Sequence, residues 1–105
     1  MSRILVGNAS DITSGKMIKV EGFLGGADIL VTNVDGNYYA MDDTCTHAGA
    51  SLFEGSLDGS TITCPWHGST WDCKTGKMIT FGVQLKDLSS YKITVESDNV
   101  FVEDL

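Results

Sequence analysis

Two short segments of this chain hold side chains able to bind metal, Cys45-Thr46-His47 and Cys64-Pro65-Trp66-His67. Each offers one thiolate and one imidazole, and sixteen residues separate His47 from Cys64, a C-x-H-x16-C-x-x-H arrangement. A lone Cys or His in a β-protein is most often a packed core residue. Here, however, each of the two histidines stands within three residues of a cysteine, and the stretch between the pairs is long enough to bring them face to face. Metal ligation by Cys45, His47, Cys64 and His67 is therefore the expectation. Structural zinc sites usually pair Cys with Cys and His with His at close spacing. One Cys and one His from each segment instead suit a binuclear iron centre, with two cysteines on one iron and two histidines on the other. Zinc remains the alternative.

The backbone around these residues suits loops. His47-Ala48-Gly49 and His67-Gly68-Ser69 allow turns, and Pro65 stiffens the second segment by fixing φ and removing a donor. A third cysteine, Cys73, leaves an odd number, so the three cannot all pair in disulfides. With four ligands already assigned, Cys73 reads as a buried strand residue near the metal. The region 42–76 holds both histidines, all three cysteines, both tryptophans, the only proline and five of the twelve glycines, a concentration that marks it as an insertion within one domain. No internal repeat or low-complexity linker divides the chain.

The elements that must position these loops read as strands. Helical periodicity is hard to find, while short runs rich in Val, Ile, Thr, Tyr and Phe recur between Gly, Asp and Asn. The pattern predicts strands at about 3–6, 16–20, 28–34, 37–41, 61–63, 70–73, 77–80, 91–96 and 100–103. Val34-Asp35-Gly36-Asn37 and Ser97-Asp98-Asn99 predict hairpin turns, because Gly, Asp and Asn tolerate positive φ. A helical turn around Asp87-Leu88-Ser89 is a further option. Met41 and Met78 read as core or edge filler, and the pair Asp42-Asp43 as a solvated turn.

At 105 residues the chain is the size of one domain, and 42% hydrophobic residues suffice for a modest core. No apolar run is long enough to span a membrane, and Met1-Ser2-Arg3-Ile4-Leu5-Val6 leads into a strand instead of a signal sequence. A soluble, cytoplasmic protein is expected. Fourteen acidic against seven basic residues give a formal charge of −7, which argues against nucleic acid or an anionic membrane as partner. The charge serves solubility or a basic protein surface.

The segments CTHAG and CPWHGS, with the WDCKTGK that follows, resemble the two cluster-binding loops of the Rieske iron-sulfur family. The resemblance extends from Asn37-Tyr38-Tyr39-Ala40 through Lys77, and again over Tyr91-Lys92-Ile93-Thr94-Val95 and Val100-Phe101-Val102, in the order of the Rieske ferredoxins that serve oxygenases. It implies a [2Fe-2S] cluster with Cys45 and Cys64 on the inner iron and His47 and His67 on the outer one. It also implies an all-β fold, an antiparallel β-sheet sandwich base carrying a small inserted cluster-binding subdomain. The expected organisation is one Rieske domain over residues 1–105, with the subdomain at about 42–76.

The ligand types dictate the chemistry. Two ferric ions, two sulfides and two thiolates sum to zero charge, and neutral imidazoles add nothing, so reduction takes the centre to about minus one. An all-cysteine centre begins about two units more negative and accepts an electron less readily; Rieske potentials accordingly span roughly −150 to +300 mV. No iron position is left open for substrate, so the expected role is one-electron transfer and not catalysis. High-potential relatives carry a loop-tying disulfide where this chain has Ala50 and Trp66. Ser69 stands where those relatives donate a hydroxyl to a cluster sulfide, and Trp71 where they tend to have tyrosine. The expected potential is in the lower half of the range, roughly −150 to +50 mV. Trp66 and Trp71 are expected to pack over the loops, and Phe81 to shield the cluster in place of a proline-containing loop.

The resemblance thus implies a monomeric carrier that takes electrons from a flavin reductase and passes them to an oxygenase or similar acceptor. Two alternatives keep the ligands, a zinc-stabilised protein interaction module and the small Rieske subunit of a multi-subunit reductase.

Overall fold

The computed structural model describes residues 3–22, 28–44, 51–65, 69–80 and 90–103. Its strands are β1 (Arg3–Asn8), β2 (Met17–Val20), β3 (Ile29–Val34), β4 (Asn37–Asp42), β5 (Ser56–Asp58), β6 (Thr61–Thr63), β7 (Thr70–Asp72), β8 (Met78–Thr80), β9 (Ser90–Glu96) and β10 (Asn99–Glu103). Single 3-10 turns lie at Ala9–Asp11 and Leu52–Glu54. Every strand pairing among the described residues is antiparallel. The all-β, antiparallel class expected from the alternation of β-branched and turn residues is the one observed.

The strands form a six-stranded sheet, in the order β1-β10-β9-β4-β3-β2, and a four-stranded sheet, β5-β6-β7-β8. β4 is hydrogen-bonded to β9, with Ala40 opposite Tyr91. The whole small sheet is therefore inserted between two neighbours of the large one. The expected hairpins are present: Asp35 (φ 52°) and Gly36 (φ 88°) place both central residues of the β3–β4 turn at positive φ, as a type I′ turn requires. Ser97 (φ 55°) sits in the β9–β10 turn, whose Asp98 carboxylate accepts from the Ser10 N–H and hydroxyl at 3.0 and 2.8 Å.

β3 is buried along its entire length, because its two faces serve two cores. Leu30 and Val34 pack with Met41, Leu52, Ile62, Cys64, Trp71 and Cys73, which joins the large sheet to the small one. Ile29 and Val31 face the other way, with Ala40 and Val102, and are flanked by Ile4 and Val6 of β1 and Val20 of β2. Residues from both edge strands meet in that second cluster, so the large sheet curls over itself. Each fully buried Val, Leu or Ile contributes about 1.5–3 kcal/mol, so β3 is the principal seam of the fold.

β5 was not expected from sequence. Ser56-Leu57-Asp58 carries one apolar residue between two polar ones, too short a pattern to register. It is a strand because the Gly59 turn (φ 61°) folds it back on β6, with Leu57 opposite Ile62. The option of a helical turn at Asp87-Leu88-Ser89 lies outside the described residues.

Candidate metal centre

Of the four expected ligands, Cys64 is described; Cys45, His47 and His67 lie outside the described residues, as do Ala50, Trp66 and Phe81. Cys64 follows the end of β6 and is 2% exposed among Leu52, Ile62 and Trp71. Its N–H donates to the Ser69 carbonyl at 2.8 Å, just beyond the last β6–β7 pair, Thr63 with Thr70. Those contacts bring the two ends of the segment 65–68 together at the end of a β-hairpin.

The first loop is closed at its base in a comparable way. Thr44 and Ser51 form an isolated antiparallel bridge across residues 45–50, and the Leu52 N–H donates to the Asp43 carbonyl at 2.8 Å. Asp43 completes the closure with its side chain: one oxygen accepts from the Ser51 hydroxyl at 2.5 Å, the other from the Phe53 N–H at 2.8 Å. Asp43 is 1% exposed, which corrects the expectation of a solvated Asp42-Asp43 turn. Asp42, the last residue of β4, instead accepts from the Tyr91 hydroxyl at 2.6 Å. Burial, then that bond and the carboxylate's charge, push the Tyr91 phenol up to about 12.

The bases of the two loops touch. A Cβ added at Gly55 would lie 2.0 Å from the Thr63 carbonyl oxygen and 3.2 Å from both the Leu52 carbonyl oxygen and Pro65 Cδ. Only glycine permits this approach, and it holds the chain leaving the first loop against the chain entering the second. The two segments whose sequences each carry one Cys and one His are thus joined at their described ends, and thiolate and imidazole are donors of the types a [2Fe-2S] centre of mixed ligation takes.

Ser69 is fully buried beside this site, and its Oγ accepts from the Trp71 indole N–H at 3.1 Å. Trp71 is itself 0% exposed in the core that joins the two sheets, and the loops it was expected to pack over lie outside the described residues. Cys73 is 1% exposed in the same cluster. Burial pushes its thiol up. Met41 is in the core and Met78 packs at its edge. The Asp43 clamp and the Gly55 contact are the structural features of this region that sequence reasoning missed. The polarity of Asp43 pointed outward, and nothing adjacent in the chain marked Gly55.

The described residues define a small all-β protein in which a Cys/His segment after β4 adjoins, at its base, a second one carried by the inserted sheet. A family model for the Rieske [2Fe-2S] domain matches residues 2–92, and the chain belongs to that family, with a [2Fe-2S] cluster as its cofactor. The 3-phenylpropionate/cinnamic acid dioxygenase ferredoxin subunit of Shigella flexneri serotype 5b (strain 8401) is 33% identical over 104 residues, 98% of this chain and 94% of that protein. A chain from the complex of reduced oxygenase and oxidized ferredoxin in carbazole 1,9a-dioxygenase is 36% identical, with a TM-score of 0.89 over 95% of this chain and 91% of its own. The Sphingomonas yanoikuyae B1 ferredoxin matches with a TM-score of 0.87 at 29% identity, over 99% of this chain and 100% of its own. The protein is an electron-transfer component and not a catalytic enzyme. No helix among the described residues is long and apolar enough to cross a membrane.

Proposed function

We propose that the protein is a monomeric, cytoplasmic carrier whose cluster is held by Cys45, His47, Cys64 and His67, and that it takes electrons from a flavin reductase and delivers them to an oxygenase. The observation that carries the ligand assignment is the contact of the two loop bases at Gly55, which joins the segments bearing the four side chains. The partner assignment is supported by the relatives, one a dioxygenase ferredoxin subunit and another taken from a complex with an oxygenase. The chain is read as one Rieske domain, residues 1–105, with the cluster-binding subdomain at about 42–76.

When bound, the cluster supplies a one-electron couple. The chain's own residues determine how that couple is housed. Cys64 is placed in an apolar pocket by Leu52, Ile62 and Trp71, which excludes water from its sulfur. Ser69 is held by Trp71 at the far end of the same loop. The closures at Thr44 with Ser51 and at Cys64 with Ser69 hold together the two ends of each segment that bears the proposed ligands.

Two measurements on the purified protein test this reading. Iron and acid-labile sulfide should be present in equal amounts, and the dithionite-reduced form should give a rhombic EPR signal with an average g below that of all-cysteine clusters. Zinc without sulfide would replace the carrier with a zinc-stabilised binding module.

A further inference from the structure

Asp43 is a buried carboxylate in a chain whose other described acidic side chains are at least partly exposed. Its backbone N–H donates to the Asp28 carbonyl at 2.9 Å, which anchors it to the strand entry of β3. Its side chain bonds Ser51 and Phe53, on the exit side of the first loop. Lys19 of β2 reaches in from the neighbouring strand, with Nζ 3.7 Å from an Asp43 oxygen and 3.8 Å from an Asp28 oxygen. The carboxylate thus ties the entry and the exit of the loop together, and one part-buried cation faces it.

We propose that Asp43 is a positioning residue for the loop bearing Cys45 and His47, and that the Asp43–Lys19 pair sets the electrostatic level at which the protein accepts its electron. This rests on the ligand assignment above. Two residues of chain extend no more than about 7 Å. A charge on Asp43 is therefore close to whatever Cys45 binds, in a low-dielectric setting where such a charge is weakly screened. Reduction adds one negative charge at the centre. A buried carboxylate opposes that addition and Lys19 offsets the opposition. Exchange for the isosteric amide removes the charge and keeps the shape, so it reads the electrostatic effect apart from the positioning one.

Substitution separates the two roles. Asp43→Asn keeps a carbonyl for the Phe53 N–H and offers its amide to the Ser51 oxygen, so the loop stays closed while the charge is lost. Asp43→Ala removes both. By protein-film voltammetry of the cluster-loaded protein, Asp43→Asn should shift the midpoint positive and Lys19→Met should shift it negative, by a smaller amount because Lys19 is part-exposed and more distant. Asp43→Ala should lose iron to a chelator about tenfold faster than wild type, as expected for loss of charge-assisted bonds, with Asp43→Asn near wild type. If Asp43→Ala yields no folded protein, Ser51→Ala takes its place, with faster iron loss again expected. An unshifted midpoint in Asp43→Asn and Lys19→Met, or unchanged iron retention in Asp43→Ala or its substitute, overturns the proposal. Wild-type protein without the Rieske EPR signal overturns the carrier reading itself, and this proposal with it.

Discussion

The Trp71 indole N–H donates to Ser69 Oγ at 3.1 Å, and both residues are fully buried. An indole nitrogen is a donor only. Ser69 therefore accepts from below and keeps its own proton for a second bond. The resemblance implies that a hydroxyl here donates to a cluster sulfide in high-potential relatives, and such a donor stabilises the reduced, more negative form. Ser69→Ala is expected to do two things. It leaves the indole N–H without its acceptor, a loss of about 1–3 kcal/mol in urea unfolding, and it lowers the midpoint potential. An unchanged unfolding midpoint would mean that the indole has another acceptor.

Gly55 is where the two loop bases meet, and its role is spatial. Alanine there would place Cβ 2.0 Å from the Thr63 carbonyl oxygen, which forces backbone apart and not merely a flexible side chain. Overpacking of this kind costs about 1–3 kcal/mol or more. Gly55→Ala should lower Tm and reduce the iron bound per chain, read by calorimetry and metal analysis. Wild-type values for both would show that the loop bases can separate freely.

The Tyr91–Asp42 bond ties β9 to the end of β4 and gives the fold an alkaline limit. The Tyr91 phenol rises from 10.0 to about 12 in the folded state. Its stabilising effect is whole below about pH 10, the unfolded value, and is lost as pH climbs towards 12, because the unfolded chain releases the proton first. Urea unfolding between pH 9 and about 12 should show stability falling through that window. Tyr91→Phe should flatten the fall, and an equally steep profile in that variant would assign the loss to other groups.

Cys64 and Cys73 are both buried thiols of one cluster, yet they are expected to behave in opposite ways. Cys64 opens a loop beside a histidine, whereas Cys73 follows β7, donates its N–H to the Ser60 carbonyl at 3.0 Å and packs against the core. Cys73→Ala should keep the full complement of iron and sulfide. Cys64→Ala should abolish it. Iron lost from the Cys73 variant in a protein that remains folded by circular dichroism would make Cys73 a participant in the site.

Much of the fold was legible because its signals are local. The Asp35-Gly36 turn is specified by two adjacent residues that tolerate positive φ, and the alternation around β9 and β10 needs only a half-buried sheet to explain it. β5 was not legible because its strand character comes from its partner: Ser56-Leu57-Asp58 has almost no pattern of its own, and only the Leu57–Ile62 pairing across the Gly59 turn makes it a strand. The curl of the large sheet was equally hidden, since it depends on Ile4 and Val20 from opposite edges reaching one cluster.

The sequence by itself supplied the donor types and their spacing on which the proposed ligand set and its one-electron chemistry rest, because a Cys and a His two or three residues apart are legible as a chelating pair without the fold. Tertiary structure alone decided what surrounds that unit. Asp42 and Asp43 are the same residue side by side, and their side chains have different fates. One ends β4 and meets Tyr91 from β9; the other begins the loop, where Ser51, Phe53 and Lys19 enclose it. Successive side chains at a strand end point to opposite faces, and which face is buried depends on segments far away in the chain.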